Sequence, residues 1–225
     1  MAKTYPRTNY APYRDSRNPY SLRFEEFVLG QNHPVGLKDH DTEAHRGRWR
    51  EFFQRPAASF LHLELGAYHG ETSIELAKAN PDDLFLGIEW KFKVCYKAAS
   101  KTRQENLDNL CFLRANMSRL PWMFAPGEVD QVCVFFPDPW SKLSQNKWRV
   151  LHEGFLRILG NLLLEGKTLL IKTDHPGYAE FIEEQIGIAG CFVANLKFPF
   201  DPEKKIIGIC LREFNACFSV VGAKL

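Results

Sequence analysis

From residue 60 onward, short apolar runs alternate with stretches that carry apolar residues at helical spacing. Few folds accommodate that alternation. A brief apolar run between turn signals reads as a strand buried on both faces. An amphipathic segment between two such runs reads as the crossover that starts a parallel neighbour. The spacing predicts strands over residues 60–65, 84–89, 111–114, 131–136, 168–173, 192–198 and 206–218. It predicts helices over 71–79, 93–104 and 145–159, and another carrying Tyr178, Phe181, Ile182 and Ile186 on one face. The expected fold is α/β, a mostly parallel seven-stranded sheet with helices on both faces. The last two strands would form an antiparallel C-terminal edge around Asp201-Pro202-Glu203-Lys204.

The first residues differ in character. Tyr5, Tyr10, Tyr13 and Tyr20 alternate with Lys3, Arg7, Arg14, Arg17 and Arg23, and prolines break any periodicity. A second cluster holds Arg46, Arg48, Trp49, Arg50, Phe52 and Phe53. Cations interleaved with aromatics suit phosphate contacts and base stacking, and they equally suit an ordered arm packed on a domain. The organisation expected is a basic and aromatic arm over residues 1–58 and one catalytic or binding domain over 59–225. The formal charge of +2 neither requires nor excludes a nucleic acid, so local charge must decide. None of the six cysteines forms a CxxC pair, and most sit in apolar runs as buried free thiols do. No stretch reads as a signal peptide or a membrane span, which gives a cytoplasmic expectation. The histidines show no metal-ligand spacing, and no metal is expected.

Three turns converge on a nucleoside-binding reading. After the first strand comes Glu64-Leu65-Gly66-Ala67-Tyr68-His69-Gly70-Glu71, where Gly66 and Gly70 allow a ligand close to the backbone. The second strand ends at Glu89, an acid about 20 residues on, placed to accept from ribose hydroxyls. The third leads to Asn116, whose amide can pair with an adenine edge. Glu64 and Glu71 flank the first turn and would repel a pyrophosphate. A nucleoside carrying positive charge fits better, and S-adenosylmethionine carries both a sulfonium and an ammonium group.

The fourth strand runs out at Phe136-Pro137-Asp138-Pro139-Trp140. Two prolines force the chain off the sheet and present Asp138 and Trp140 at a strand's carboxyl end, where open α/β sheets bind ligands. Trp140 can stack on a purine or plug the turn, and a large aromatic favours the plug.

With these residues in view, the sequence resembles the bacterial tRNA (guanine-N7-)-methyltransferase family between Leu63 and Glu184. The resemblance rests on residues 136–140 with Lys142, supported by Glu64-Leu65-Gly66, Ala77-Lys78-Ala79-Asn80-Pro81, Gly87-Ile88-Glu89 and Lys172-Thr173-Asp174. It implies a Rossmann-like fold, S-adenosylmethionine as methyl donor and tRNA as partner. It places Glu64, Glu89, Asn116 and Asp138 at the donor, beside the glycines Gly66 and Gly70. Asp138 matches the catalytic acid, and Lys142 and Asp174 match substrate-contacting positions. The oligomeric state is left open between monomer and homodimer.

The chain also departs from the pattern. Tyr68 stands where the family has a further glycine, and Asn116 where it has an acid. The basic stretch after the tryptophan is reduced to Lys142, Lys147 and Arg149, and the terminal Thr-x-Tyr/Phe-Glu motif is missing. Glu213 is the one candidate for a partial substitute in that stretch. Two other readings follow from these residues: methylation of an exocyclic amine or another substrate, and a non-catalytic RNA-binding paralogue.

Overall fold

The computed structural model describes residues 18–27, 34–38, 40–141, 143–201 and 206–213. Tyr5, Tyr10 and Tyr13, the cations Lys3, Arg7, Arg14 and Arg17, Lys142, the turn at 202–205 and residues 214–225 lie outside that set. The chain divides into two compact units, residues 1–125 and 126–225.

In the first unit four strands lie in the order β1-β4-β3-β2, all parallel: β1 Gly36–Lys38, β2 Leu61–Leu65, β3 Leu84–Ile88 and β4 Leu110–Arg114. β3 and β4 are buried along their whole lengths, as strands covered on both faces require. β2 and β3 are joined through a helix over Glu71–Ala79, and β3 and β4 through one over Phe92–Gln104. Their apolar faces supply Ile74, Ala77, Phe92, Cys95, Ala98 and Ala99 to one core with Phe85, Leu110 and Phe112. Buried Asn109 opens β4 by donating its amide to the carbonyls of Ala77, Asn80 and Asp83. This explains the Ala-Lys-Ala-Asn-Pro segment, whose turn is fastened by that one side chain.

Part of the arm belongs to this unit. A short helix (Pro19–Arg23) and the turn Phe24–Phe27 bring Phe24 and Phe27 into the same core, and β1 pairs with β4. The second basic-aromatic cluster is structural as well. Trp49 and Phe53 are buried, and the Trp49 indole donates to the Met123 carbonyl at 3.0 Å. Arg46, Arg48 and Arg50 donate to the carbonyls of Pro121, Ala44 and Ser59. These aromatics pack, so they are not presented for base stacking.

In the second unit the order is β5-β6-β8-β7, with β5 Val129–Phe135, β6 Leu163–Thr173, β7 Phe192–Asp201 and β8 Ile206–Glu213. β5 and β6 are parallel, and β8 runs antiparallel to both β6 and β7. Eight strands are therefore present among the described residues against the seven expected, the addition being β1. A strand of three residues is too short to show a period.

The helix expected over 145–159 is not continuous. Residues Leu143–Trp148 form a 3-10 turn, and the α-helix spans Glu153–Leu162, where His152 Nδ1 caps Phe155 N–H. Trp148, counted on the apolar face, is 60% exposed. The last helix, Pro176–Ala189, has proline in its first turn, His175 as its cap and Gly190 at its left-handed exit (φ 66°). Four cysteines, Cys95, Cys111, Cys133 and Cys191, are buried free thiols, and burial raises the Cys111 thiol well above its ordinary range. No helix among the described residues is long and apolar enough to cross a membrane.

The Phe112 ring occupies space that only glycine leaves. A Cβ on Gly87 would stand 2.5 Å from Phe112 Cε1, and one on Gly70 would stand 2.4 Å from its Cζ. Gly87→Ala should lower stability by about 1–3 kcal/mol through overpacking. Phe112→Leu in the same chain should recover part of that loss. Denaturant unfolding of both variants checks it, and a stable Gly87→Ala protein would contradict the packing described.

Candidate active site

The first unit gathers its candidate site side chains at the carboxyl ends of β2, β3 and β4. The turn after β2 is held to the sheet by Gly66 and Ala67 N–H, both 2.9 Å from the Ile88 carbonyl. It then takes the left-handed conformation at every second residue: Gly66 (φ 78°), Tyr68 (φ 48°) and Gly70 (φ 77°). A Cβ on Gly66 would meet nothing within 4 Å, so the backbone there is bare and open. Glycine would take this conformation without strain, whereas an L side chain at Tyr68 costs roughly 1–2 kcal/mol.

Glu64 points from the end of β2 and accepts from the Ser73 hydroxyl at short range. Burial raises its carboxyl above the ordinary range, the hydrogen bonds from Ser73 oppose that rise, and the nearby Glu71 charge adds to it. Glu71 is not a second bare charge. Lys101 lies 2.6 Å away, and the bond from its ammonium holds the Glu71 carboxyl below the usual range. The repulsion expected from two acids at the turn therefore falls mainly to Glu64.

Glu89 follows β3 and is buried. Its backbone N–H reaches the Leu113 carbonyl, and one carboxylate oxygen accepts from Lys91 N–H at 2.7 Å. That local bond fixes the carboxylate and leaves its other oxygen for a hydroxyl. Asn116 is exposed after β4, and its Oδ1 caps Ser118 N–H at 2.9 Å. What it can offer an adenine is its amide N–H. Arg114, absent from the sequence-based set, braces this region. Its buried guanidinium lies 3.7 Å from the Phe92 ring centroid and 4.8 Å from that of Trp90, and Nε donates to the Trp90 carbonyl. The loop that follows Glu89 is thereby fixed.

The second unit presents a different set. β5 and β6 are parallel, so the loops leaving their carboxyl ends emerge on the same side, one carrying Asp138 and the other Asp174. Phe136 N–H donates to the Lys172 carbonyl at 2.8 Å and ties the two strand ends together. Asp138 is exposed. The residues around it are held in unusual conformations, with Phe136 at φ 50° and Trp140 at φ 45°. Trp140 is 38% exposed, so most of its surface packs at the turn while part of it stays open to solvent.

Arg149 ties this loop to the helix that follows β6. Its Nε donates to the Pro139 carbonyl at 2.9 Å, and its guanidinium sits 5.2 Å and 4.7 Å from the ring centroids of Tyr178 and Phe181. Leu151 N–H donates to the Tyr178 hydroxyl, which burial pushes up to about 12. Arg149 is thus buried structure, and it is lost from the short list of cations available to phosphates. No signal in the local sequence separates this arginine from a solvated one, because its aromatic partners come from a later helix. Asp174 is exposed and leads directly into the His175 cap, and Thr173 Oγ1 accepts from His175 N–H at 3.2 Å. Lys142 lies outside the described residues. Among those described, no group of three or more His, Cys, Asp or Glu side chains is disposed to hold a metal.

The predicted donor residues Glu64, Gly66, Gly70, Glu89 and Asn116 thus come from three adjacent strand ends of the first unit. Asp138 and Asp174 come from two adjacent strand ends of the second.

Comparison with known proteins bears on the fold and the family. Among solved structures, the fold is similar to the 16S rRNA methyltransferase KamB (TM-score 0.58, 16% identity, 75% of this chain and 94% of that one). It is also similar to a 30S ribosomal A1408 methyltransferase from an uncultured bacterium (TM-score 0.56, 16% identity, 75% and 93%). At these identities the likeness establishes a Rossmann-like, mostly parallel methyltransferase fold. A family model described as "Putative methyltransferase" matches residues 58–197. The chain is 31% identical over 183 residues to a tRNA (guanine-N(7)-)-methyltransferase of Lachnoclostridium phytofermentans, covering 81% of this chain and 85% of that protein. It is 32% identical over 187 residues to one of Geobacillus thermodenitrificans, covering 82% and 84%. Sequence and fold together make this chain a member of the tRNA (guanine-N7-)-methyltransferase family.

Proposed function

We propose that this chain methylates N7 of a guanine in tRNA with S-adenosylmethionine as donor. The observation that carries the reading is Asp138, an exposed carboxylate at a strand end, set between two prolines and fastened by buried Arg149. Its family relatives bear the same activity in their names.

The residues of the first unit fit the donor. Gly66 offers open backbone, Glu89 a fixed carboxylate for ribose hydroxyls, and Asn116 an amide for adenine. Glu64 supplies negative charge for the donor's cationic end, and Gly70 lets the helix begin close to the turn. Asp138 completes the proposed donor set. No arginine or lysine stands within the turn from Glu64 to Gly70, as a pyrophosphate would call for.

When bound, the donor supplies an electrophilic methyl group on a positively charged sulfur. Guanine N7 carries an exposed lone pair and no proton, so Asp138 is not needed as a base. Its task is to hold the guanine edge in line and to offset the positive charge that the purine gains. Asp174 and Lys142 are assigned to the substrate. The division into an arm over 1–58 and a methyltransferase domain over 59–225 is supported by a family match that begins at residue 58. We place the enzyme in the cytoplasm, acting as a monomer or homodimer. The non-catalytic RNA-binding reading draws support from Tyr68 in the glycine turn and from the missing terminal Thr-x-Tyr/Phe-Glu motif, and it predicts no methyl transfer to any tRNA.

Two measurements test the donor site. Glu89→Ala removes a charged hydrogen-bond acceptor worth roughly 1.5–3 kcal/mol. Calorimetry should show donor affinity falling by about tenfold to a hundredfold, and an unchanged value would remove Glu89 from the site. The raised Glu64 carboxyl gives a pH dependence with a definite sign. Only the ionised form attracts a cation, so donor affinity should fall as pH drops through that raised pKa. Glu64→Gln should abolish that slope, and a slope surviving in the variant would assign it to another group.

The acceptor side is tested at Asp138. Asp138→Asn keeps the shape but removes the charge, so turnover on unmodified tRNA should drop by on the order of a hundredfold. Thermal stability should hardly change, because the side chain is exposed. Wild-type rates in the variant would refute the role. Nucleoside analysis of tRNA incubated with labelled donor identifies the product.

A further inference from the structure

Tyr68 is expensive where it stands, and nothing in its surroundings explains it. It occupies a left-handed position (φ 48°) between two glycines in the same conformation, where glycine would carry no strain. Its ring is 58% exposed, so it does little for the core. It packs on the neighbouring His69 ring, with centroids 4.2 Å apart. His69 is itself tied down, since Lys101 Nζ lies 3.4 Å from its carbonyl and bridges to Glu71. The result is an outward aromatic face on a braced turn, next to the open backbone at Gly66. Strain maintained at a ligand-facing turn points to a function for the strained residue.

The chemistry of the turn narrows that function. Lys101 neutralises Glu71, while Glu64 is half-buried behind the turn and bonded to Ser73. The exposed feature that remains at this point is an electron-rich ring, which attracts cations over its face. Resting on the donor reading above, we propose that Tyr68 is a donor-discriminating residue, its ring directed at the sulfonium. After methyl transfer the same sulfur is a neutral thioether, to which the ring gives no cation–π attraction. Tyr68 therefore favours the charged donor over the spent product and hastens exchange of one for the other.

The test uses the full chain as wild type, Tyr68→Gly and Tyr68→Phe. Calorimetric affinities are measured for S-adenosylmethionine and for S-adenosylhomocysteine, together with thermal unfolding without ligand. Tyr68→Gly should unfold at the same or a higher temperature, by up to about 4 °C, because the strain is relieved. Its affinity for the sulfonium donor should fall about fivefold to tenfold, the range of a partly desolvated cation–π contact. Its affinity for the thioether should change less than about twofold on the same reasoning. Tyr68→Phe should keep the wild-type ratio of the two affinities. Equal losses for both ligands in Tyr68→Gly, or no loss for either, would overturn the assignment while leaving the donor site standing. A lower unfolding temperature with equal losses would return Tyr68 to a packing role. Failure of the wild type to bind either ligand would overturn the donor reading itself, and this inference with it.

Discussion

The glycine turn stays close to the sheet because one aromatic ring lies where two side chains are missing. Phe112, at the centre of β4, fills the space beside the backbones of Gly87 in β3 and Gly70 at the start of the first long helix. One ring thus sets the distance between β4, β3 and the turn that precedes that helix. Buried interiors tolerate little change in volume, so the ring acts as a spacer of fixed size. The positions of Glu89 and Asn116 follow from it, since they lie just beyond the two strands it joins. Ordering of the arm follows too, as Phe24 and Phe27 complete the same cluster.

Each unit uses the same device to steady a functional loop. A buried guanidinium lies on aromatic rings and donates to a backbone carbonyl beside a strand-end acid. Arg114 does this for Trp90, one residue after Glu89, and Arg149 does it for Pro139, one residue after Asp138. Buried charge is costly unless it is paired or satisfied, so such an arginine persists where the orientation of a loop matters. Each guanidinium donates to the backbone one residue beyond the acid, and so fixes the position of the loop that carries it.

Much of this was legible in the sequence, for reasons that also explain the gaps. Strand runs such as Leu84–Ile88 and the helix Glu71–Ala79 carry unmixed periodicity, and the structure places them within a residue of expectation. The strand-end positions of Glu64, Gly66 and Glu89 were legible because runs of strand pattern lead to them. Residues 145–148 misled, since Trp148, Leu151, Phe155 and Leu159 share a helical period although His152 starts the helix anew. The roles of Arg46, Arg50, Arg114 and Arg149 were hidden as well. A cation is solvated by default, and only partners remote in sequence turn it into a brace. The pairing of Glu71 with Lys101 was beyond reach for the same reason.

The buried thiols carry a practical consequence. Cys95 and Cys111 lie in the first unit, and Cys133 and Cys191 in the second. Each is shut away from solvent, so an alkylating reagent reaches it only when the surrounding packing opens. Among the described side chains each unit therefore carries two such native clocks, and their labelling rates time the opening around each of them. Ligands that occupy one half will slow the clocks of that half first, which makes the chain a reporter of where a bound molecule sits.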